Sequence, residues 1–425
     1  MTVALPGADE AGRRLLGQAW VGGSARKALG FIVALWIFSG GFVIVEPSPY
    51  EVMFIIAFTV ALAGGLKLHR DTLPVLIITL AFAPFALISP FFMRYQGVLD
   101  GLIFNLVTIF LLITSYFAAN FVAQSPHTHM RLIAKAYVAI AVITALVGAL
   151  AYIGILPGED FFLRFGRAKA FFNDPNVYGP FLMLPAAIVL QRTLLGTGRA
   201  ALWNGLAYLV IFIGVFVSFS RGAWGHLAAT SLLVFAMAFF LEASAREKVR
   251  LLLIAIGGIM VLAAAMAVLL SIPVVAELFA HRFTLTQSYD TGETGRFGRI
   301  WYTLDLALNN PWGIGPLEFG YLRISEQPHN TYTNVLLTYG WGGALAYYVL
   351  VGWTLLIGGK TLFRPSPHRT LLIPVFATFV PMILLSGIID TDHWRHWFLV
   401  TGLVWGICAA YGAPDRSGGA ARFLP

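Results

Sequence analysis

Four residues between positions 221 and 329 have the types and spacing for chemistry on an anionic group. Arg221 stands between two apolar runs in Ser218-Phe219-Ser220-Arg221-Gly222-Ala223-Trp224. Arg296 and Arg299 lie at i, i+3 in Gly295-Arg296-Phe297-Gly298-Arg299-Ile300-Trp301, so on a helix both can face one ligand. His329 opens the next apolar run in Pro328-His329-Asn330-Thr331-Tyr332. A planar guanidinium matches phosphate or carboxylate oxygens at two points. An imidazole of ordinary pKa, about 6.5, accepts a proton or orients a hydroxyl near neutrality. An arginine at the depth of Arg221 is a functional candidate because leaving it unpaired in lipid is costly. Its bland alternative is an interfacial arginine that snorkels to headgroups. For His329 the alternative is a helix cap or a packed hydrogen-bonding group.

These side chains need a scaffold, and composition points to a membrane one. Hydrophobic residues make up 58% of the 425 and charged residues 11%, with a mean hydropathy of +0.79. A soluble domain averages about 25% charged residues. The fold class expected is all-α, a polytopic membrane protein with about twelve spans. At about 20 residues per crossing, the spans fall near 29–45, 49–66, 72–92, 98–123, 132–155, 175–191, 200–219, 222–241, 249–272, 331–356, 370–389 and 394–413. The pair around Ser220-Arg221 also reads as one long kinked segment. Residues 1–28 are polar and basic, without the short apolar core and cleavage site of a signal peptide, and read as a cytoplasmic lead-in. Residues 29–272 then hold spans one to nine, 273–330 a long outer loop, 331–413 the last three spans, and 414–425 a cytoplasmic tail. The single cysteine, Cys408, sits in an apolar run, which excludes an internal disulfide and a cysteine metal site.

The distribution of cations orients the chain. With both termini inside, 18 of 28 lysines and arginines fall on cytoplasmic segments, as the positive-inside rule expects. The other ten are Arg94, Arg164, Arg167, Lys169, Arg221, Arg282, Arg296, Arg299, Arg323 and Arg395, nine arginines to one lysine. Orientation does not need arginine over lysine, whereas recognition of phosphate or carboxylate does. The competing reading pairs these arginines with outer acids such as Asp174, Glu293 and Asp390. The net charge of +8 is thus divided across a membrane, which argues against nucleic acid as a partner.

Three outer loops are rich in polar residues: 158–174, 272–330, and 389–394 with Asp390, Asp392 and His393. In the long one Phe297, Ile300, Trp301, Leu304 and Leu308 recur at helical spacing until Asn309-Asn310-Pro311 stops them. Arg164 and Arg167 read as residues of a more exposed loop. No His-x-His, His-Glu-x-x-His, paired-cysteine or Walker pattern appears, so neither a metal nor a nucleotide cofactor is expected. A twelve-span transporter of a small anion or glycolipid is the rival class. Its usual long central cytoplasmic loop is short here, at 191–199, and its ionisable site would lie at mid-membrane.

Phe172-Asn173-Asp174-Pro175-Asn176, Ser218-x-Ser220-Arg221-Gly222-Ala223-Trp224, Gly295-Arg296 ahead of Trp301, Pro311-x-Gly313-x-Gly315 and Pro328-His329-Asn330 occur in that order. This ordered set, over roughly residues 160–345, resembles the O-antigen ligase and O-antigen polymerase superfamily of bacterial envelope proteins. The resemblance implies a metal-independent, inverting glycosyltransferase of the GT-C-like membrane type in the inner membrane, working at its periplasmic face. Its donor would be a glycan on undecaprenyl diphosphate, and its acceptor a second lipid-linked glycan or lipid A–core. A chain-length regulator or a flippase would be candidate protein partners, besides membrane lipid. By the same resemblance Arg221 and Arg296 match essential arginines and His329 an essential histidine. Arg299, a local candidate that the family pattern does not demand, and Arg164 join the expected diphosphate-binding set, with Asn173, Asn176, Asn330 and Tyr332 in support.

Overall fold

The computed structural model describes residues 27–64, 66–283, 292, 295–323 and 326–411. The lead-in before Lys27 and the tail after Tyr411 therefore lie outside the described residues, as does Glu293. The regular structure among these residues is helical apart from one small hairpin and an isolated parallel bridge between Val43 and Phe172. In chain order the helices are α1 (Lys27–Ser39), α2 (Pro49–Ala63), α3 (Leu73–Ile88), α4 (Val98–Gln124), α5 (Pro126–Tyr152), α6 (Glu159–Phe162), α7 (Pro175–Phe181), α8 (Met183–Leu195), α9 (Gly198–Val217), α10 (Arg221–Met237), α11 (Ala245–Leu270), α12 (Pro273–Arg282), α13 (Arg296–Leu308), α14 (Thr331–Leu362), α15 (Arg369–Leu385) and α16 (Arg395–Ala410).

Every span expected from hydropathy coincides with a helix, but the helices differ in reach. Eight helical segments among the described residues are long and apolar enough to cross a membrane. Three more are apolar and shorter: α1, α2 and α15. The span expected at 175–191 is two helices, α7 and α8, that break at Leu182. Around Ser220 the two-helix reading holds, because α9 ends at Val217 and α10 starts afresh at Arg221.

The starts are written locally. Ser48 and Glu51 form a capping box on α2, and Ser244 and Glu247 do the same on α11. Asp174 caps α7 with Pro175 at the first helical position, where the missing N–H costs nothing. Inside the bundle α4 and α16 pack most closely, and Ser115 Oγ donates to Phe398 O at 2.6 Å between them. At the other extreme, α11 is almost wholly unburied at a mean hydropathy of 2.7. A polar environment would not tolerate that surface, whereas acyl chains would.

The long polar loop ahead of α14 is fastened to the bundle. Gly313 and Gly340, at φ +78 and +72, lie against each other, and Gly340 interrupts α14. A Cβ on Gly340 would fall 2.4 Å from Pro311 O, so only glycine permits the approach. Ile314 N–H donates to Leu337 O at 2.8 Å and Trp341 N–H to Pro311 O at 2.9 Å, occupying groups that the helix break frees. The glycine-rich turn is thus a joint between loop and span. A second fastening is the buried Glu318 carboxylate, which accepts the main-chain N–H groups of Arg94, Tyr95 and Gln96 at 2.9, 3.0 and 2.8 Å.

Candidate active site

Three stretches distant in sequence meet around the C-terminal end of α15. The first brings Arg221. It opens α10, half-buried, behind the cap Ser220, whose Oγ accepts Ala223 N–H at 3.4 Å. Ser218 Oγ closes the turn by donating to Val215 O at 2.6 Å and accepting Ser220 N–H at 3.4 Å. Phe219 between them is held at φ +46, a left-handed conformation strained for a residue with a large side chain.

Arg167 supports that turn. Its Nε donates to Ser218 O at 2.9 Å and its Nη2 to Asn176 Oδ1 at 2.8 Å, and it is only 7% exposed. Asn176 is placed by the α7 cap, donating its N–H to Asp174 Oδ1 at 2.7 Å. Arg167 therefore joins the Phe-Asn-Asp-Pro-Asn stretch to the Ser-Arg-Gly stretch. Reading it as a residue of an exposed loop is corrected here: the hairpin Leu163–Arg164 and Arg167–Ala168 turns through Phe165-Gly166, both at positive φ, and seats its second strand on α5 and α9. Adjacent charge alone cannot signal which of two nearby arginines turns inward.

Arg164 stays outside. Its Nη1 donates to Asn173 O at 3.0 Å and lies 3.5 Å from Asp174 Oδ2, while its guanidinium sits over the Phe165 ring. Lys169 donates to Phe161 O at 2.6 Å. Burial, and then the neighbouring Arg164 charge, lower its ammonium below the ordinary lysine value.

The second stretch carries His329. Asn330 caps α14, its Oδ1 accepting Thr333 N–H at 3.0 Å and its Nδ2 donating to Gly387 O at 2.8 Å. His329, one residue earlier, has φ +54. The third stretch supplies what holds it: Asp390 Oδ2 accepts His329 N–H at 3.2 Å and lies 3.4 Å from the imidazole Nδ1, and Oδ1 accepts Asn330 N–H at 3.1 Å. Beneath, Thr331 N–H donates to Ser386 O at 2.8 Å and Tyr332 OH donates to Ile383 O. The ring is about a third exposed, enough to meet a ligand. Asp390 appears in the sequence only as a counter-charge for outer arginines. The one signal for its role is its place in a short polar loop between two spans.

The arginine and histidine stretches converge on the same helix end. Gly179 of α7 abuts Ala223, and Gly222 abuts the Leu385 side chain, directly before Ser386 and Gly387. A Cβ at either glycine would lie under 3 Å from that neighbour, at 2.5 and 2.8 Å.

The α13 pair is divided. Arg296 is the first residue of the helix, and its side chain lies outside the described residues. Spacing predicts Arg299 beside it on a common ligand, but Arg299 is 2% exposed. Its Nη1 lies 2.6 Å from Glu326 Oε2 and donates to Gln327 O at 3.1 Å. Gly295, Arg299, Thr303 and Ala307 are buried at four-residue intervals and form the inward face. Arg299 thereby ties α13 to the chain that enters His329, two residues beyond Gln327. Among the described residues, no group of three or more His, Cys, Asp or Glu side chains is gathered as metal ligands would be.

The fold defines a multi-pass α-helical membrane protein with polar side chains of three loops gathered at one end. Residues 206–348 match the family described as O-Antigen ligase, so the superfamily resemblance holds for that segment. The matched segment contains Arg221, Arg296 and His329 but neither Arg167 nor Asp390. No curated protein matches the chain.

Proposed function

We propose that this protein is a glycosyltransferase at the periplasmic face of a bacterial inner membrane, transferring a glycan from undecaprenyl diphosphate to a sugar hydroxyl. The observation that carries the reading is the seat of His329, a partly exposed imidazole backed by a carboxylate, beside the end of α15, against which Gly222 at the start of α10 also packs. With a proton on Nδ1 facing Asp390, Nε2 is left as the acceptor, as in other carboxylate-backed imidazoles. His329 Nε2 takes the proton of the acceptor hydroxyl, or orients that hydroxyl, as its oxygen attacks the anomeric carbon. The bond from that carbon to the diphosphate oxygen breaks, and its electron pair leaves with the diphosphate. Arg221 and Arg296 offset the charge that develops there. Inversion follows from a single attack opposite the leaving group. Asn176 is joined to the turn before Arg221 through Arg167, while Arg164 bonds Asn173 O outside it.

The acceptor decides between polymerase and ligase. Purified protein in liposomes, given a lipid-linked repeat unit alone, forms dimers of the unit if it is a polymerase. Given a finished lipid-linked glycan with lipid A–core, it forms the conjugate if it is a ligase. Transfer to neither, with folded protein and intact donor, would remove the glycosyltransferase reading.

A further inference from the structure

Helix α13 has an outward face that the site does not use. Phe297, Trp301 and Leu308 are 50%, 72% and 55% exposed, on the side of α13 opposite the buried Arg299 and Thr303. Half-exposed Trp312 follows just past the helix end. One edge of this face is polar, with Asp305 and Asn309 exposed one turn apart.

We propose that this face is seated in the lipid surface of the membrane, so that α13 is an in-plane interfacial helix. The argument is continuity with the bilayer-facing surface. The Trp312 ring stacks near Phe85 of α3 at a centroid distance of 6.1 Å, and Trp341 of α14 donates its indole N–H to Ala307 O at the end of α13. From Trp341 an exposed apolar stripe runs down α14 through Leu345, Val349 and Leu356. Both α14 and the segment containing α3 are among those able to cross the membrane, so unpacked apolar stripes on them face acyl chains. The outward face of α13 sits at the head of that stripe, and Trp301, Trp312 and Trp341 stand where membrane proteins concentrate tryptophan. An apolar face flanked by a polar edge is how a helix lies at a headgroup boundary. In the function proposed above, this seating fixes the depth at which Arg296 meets a lipid-borne diphosphate; the seating itself does not depend on that function.

Spin labels on single cysteines test it, placed in the full chain with Cys408→Ser and reconstituted in phosphatidylethanolamine–phosphatidylglycerol vesicles. Labels at Phe297, Trp301 and Leu308 are expected to be more accessible to oxygen than to a water-soluble nickel chelate, matching a label at Leu345. Labels at Asp305 and Asn309 are expected to show the reverse preference. Chelate-dominated access at all three apolar positions would overturn the proposal and mark the face as water-exposed, free for a glycan to stack on. A photoreactive benzophenone amino acid at position 301 is an independent reading. Crosslinks to alkyne-tagged phospholipid acyl chains are expected, and their absence from protein that elutes and melts like the parent overturns the seating. Neither readout requires transfer activity, so failure of the glycosyltransferase reading would leave this result standing.

Discussion

Asp390 engages His329 twice, through its backbone N–H at 3.2 Å and across 3.4 Å to its imidazole Nδ1. The same carboxylate also takes Asn330 N–H at 3.1 Å, so it fixes the backbone at the start of α14 as well as the ring. Sixty-one residues separate the pair in sequence. The contact closes the α14–α15 end of the bundle around a side chain suited to proton transfer.

If His329 serves the acceptor, its removal should spare donor binding. His329→Ala is expected to lower turnover by about 10²- to 10⁴-fold, the usual range for a positioned acid–base group. Binding of the lipid-linked donor should stay near the parent value. His329→Gln separates the roles, since glutamine keeps a hydrogen bond but is no base near neutrality. Parent-like turnover in that variant would leave only an orienting role. Loss of donor binding in His329→Ala would favour a structural one.

Asp390→Asn keeps one acceptor oxygen, so one of the two N–H groups loses its partner, and it removes the charge beside the imidazole. Folding should survive, with a small fall in melting temperature and a clear drop in turnover. Asp390→Ala leaves the two N–H groups without this acceptor and should destabilise by about 1–3 kcal/mol. Calorimetry or fluorescence melting in detergent, alongside the transfer assay, separates the effects. Equal turnover in Asp390→Asn and parent would confine Asp390 to a cap.

Arg167 and Arg164 should respond oppositely to lysine. Arg167→Lys loses the fork that spans Ser218 O and Asn176 Oδ1, so the Phe219 turn relaxes and activity falls. Arg164→Lys changes an exposed ion pair with a stability value of about 0–1 kcal/mol and should be tolerated. Similar melting and activity in the two variants would contradict the buried assignment.

Arg296 and Arg299 should also separate. Arg299→Ala leaves Glu326 without this partner and releases Gln327 from α13, so the expected signature is a lower melting temperature. Arg296→Ala should melt like the parent and bind the donor more weakly, because a charge-assisted contact is lost. The reverse pattern would exchange their roles.

Sidedness is tested by thiol labelling in a Cys408-free variant. Cysteines placed singly at the exposed polar positions Asp305 and Asn309 should react with an impermeant reagent in spheroplasts, and those in 192–199 or 360–368 should not. Reversed labelling would place the gathered loops on the cytoplasmic side, away from an outward-facing lipid-linked glycan.

Much of the helical order is local, and so it is legible in the chain. Long apolar runs must satisfy their backbone groups internally in lipid, which leaves a helix as the form for a single segment. Caps such as Asp174 with Pro175 and Asn330 with Thr333 act within a few residues, so helix starts at Pro175 and Thr331 can be read directly. The motif residues Arg221 and His329 also stand out from the sequence, because charged or titratable groups beside apolar runs are rare. What only the tertiary structure decided is partnership. Arg164 and Arg167 are indistinguishable by type and neighbourhood, yet the hairpin buries one and exposes the other. Arg296 and Arg299 share a helical face by spacing, but Glu326 and Gln327 arrive from a segment that spacing does not place. Asp390 reaches His329 only because α14 and α15 pack side by side and Asn330 bonds to Gly387 at the latter's end. Side-chain type and local spacing determine which groups are able to act; packing between distant segments determines which of them meet.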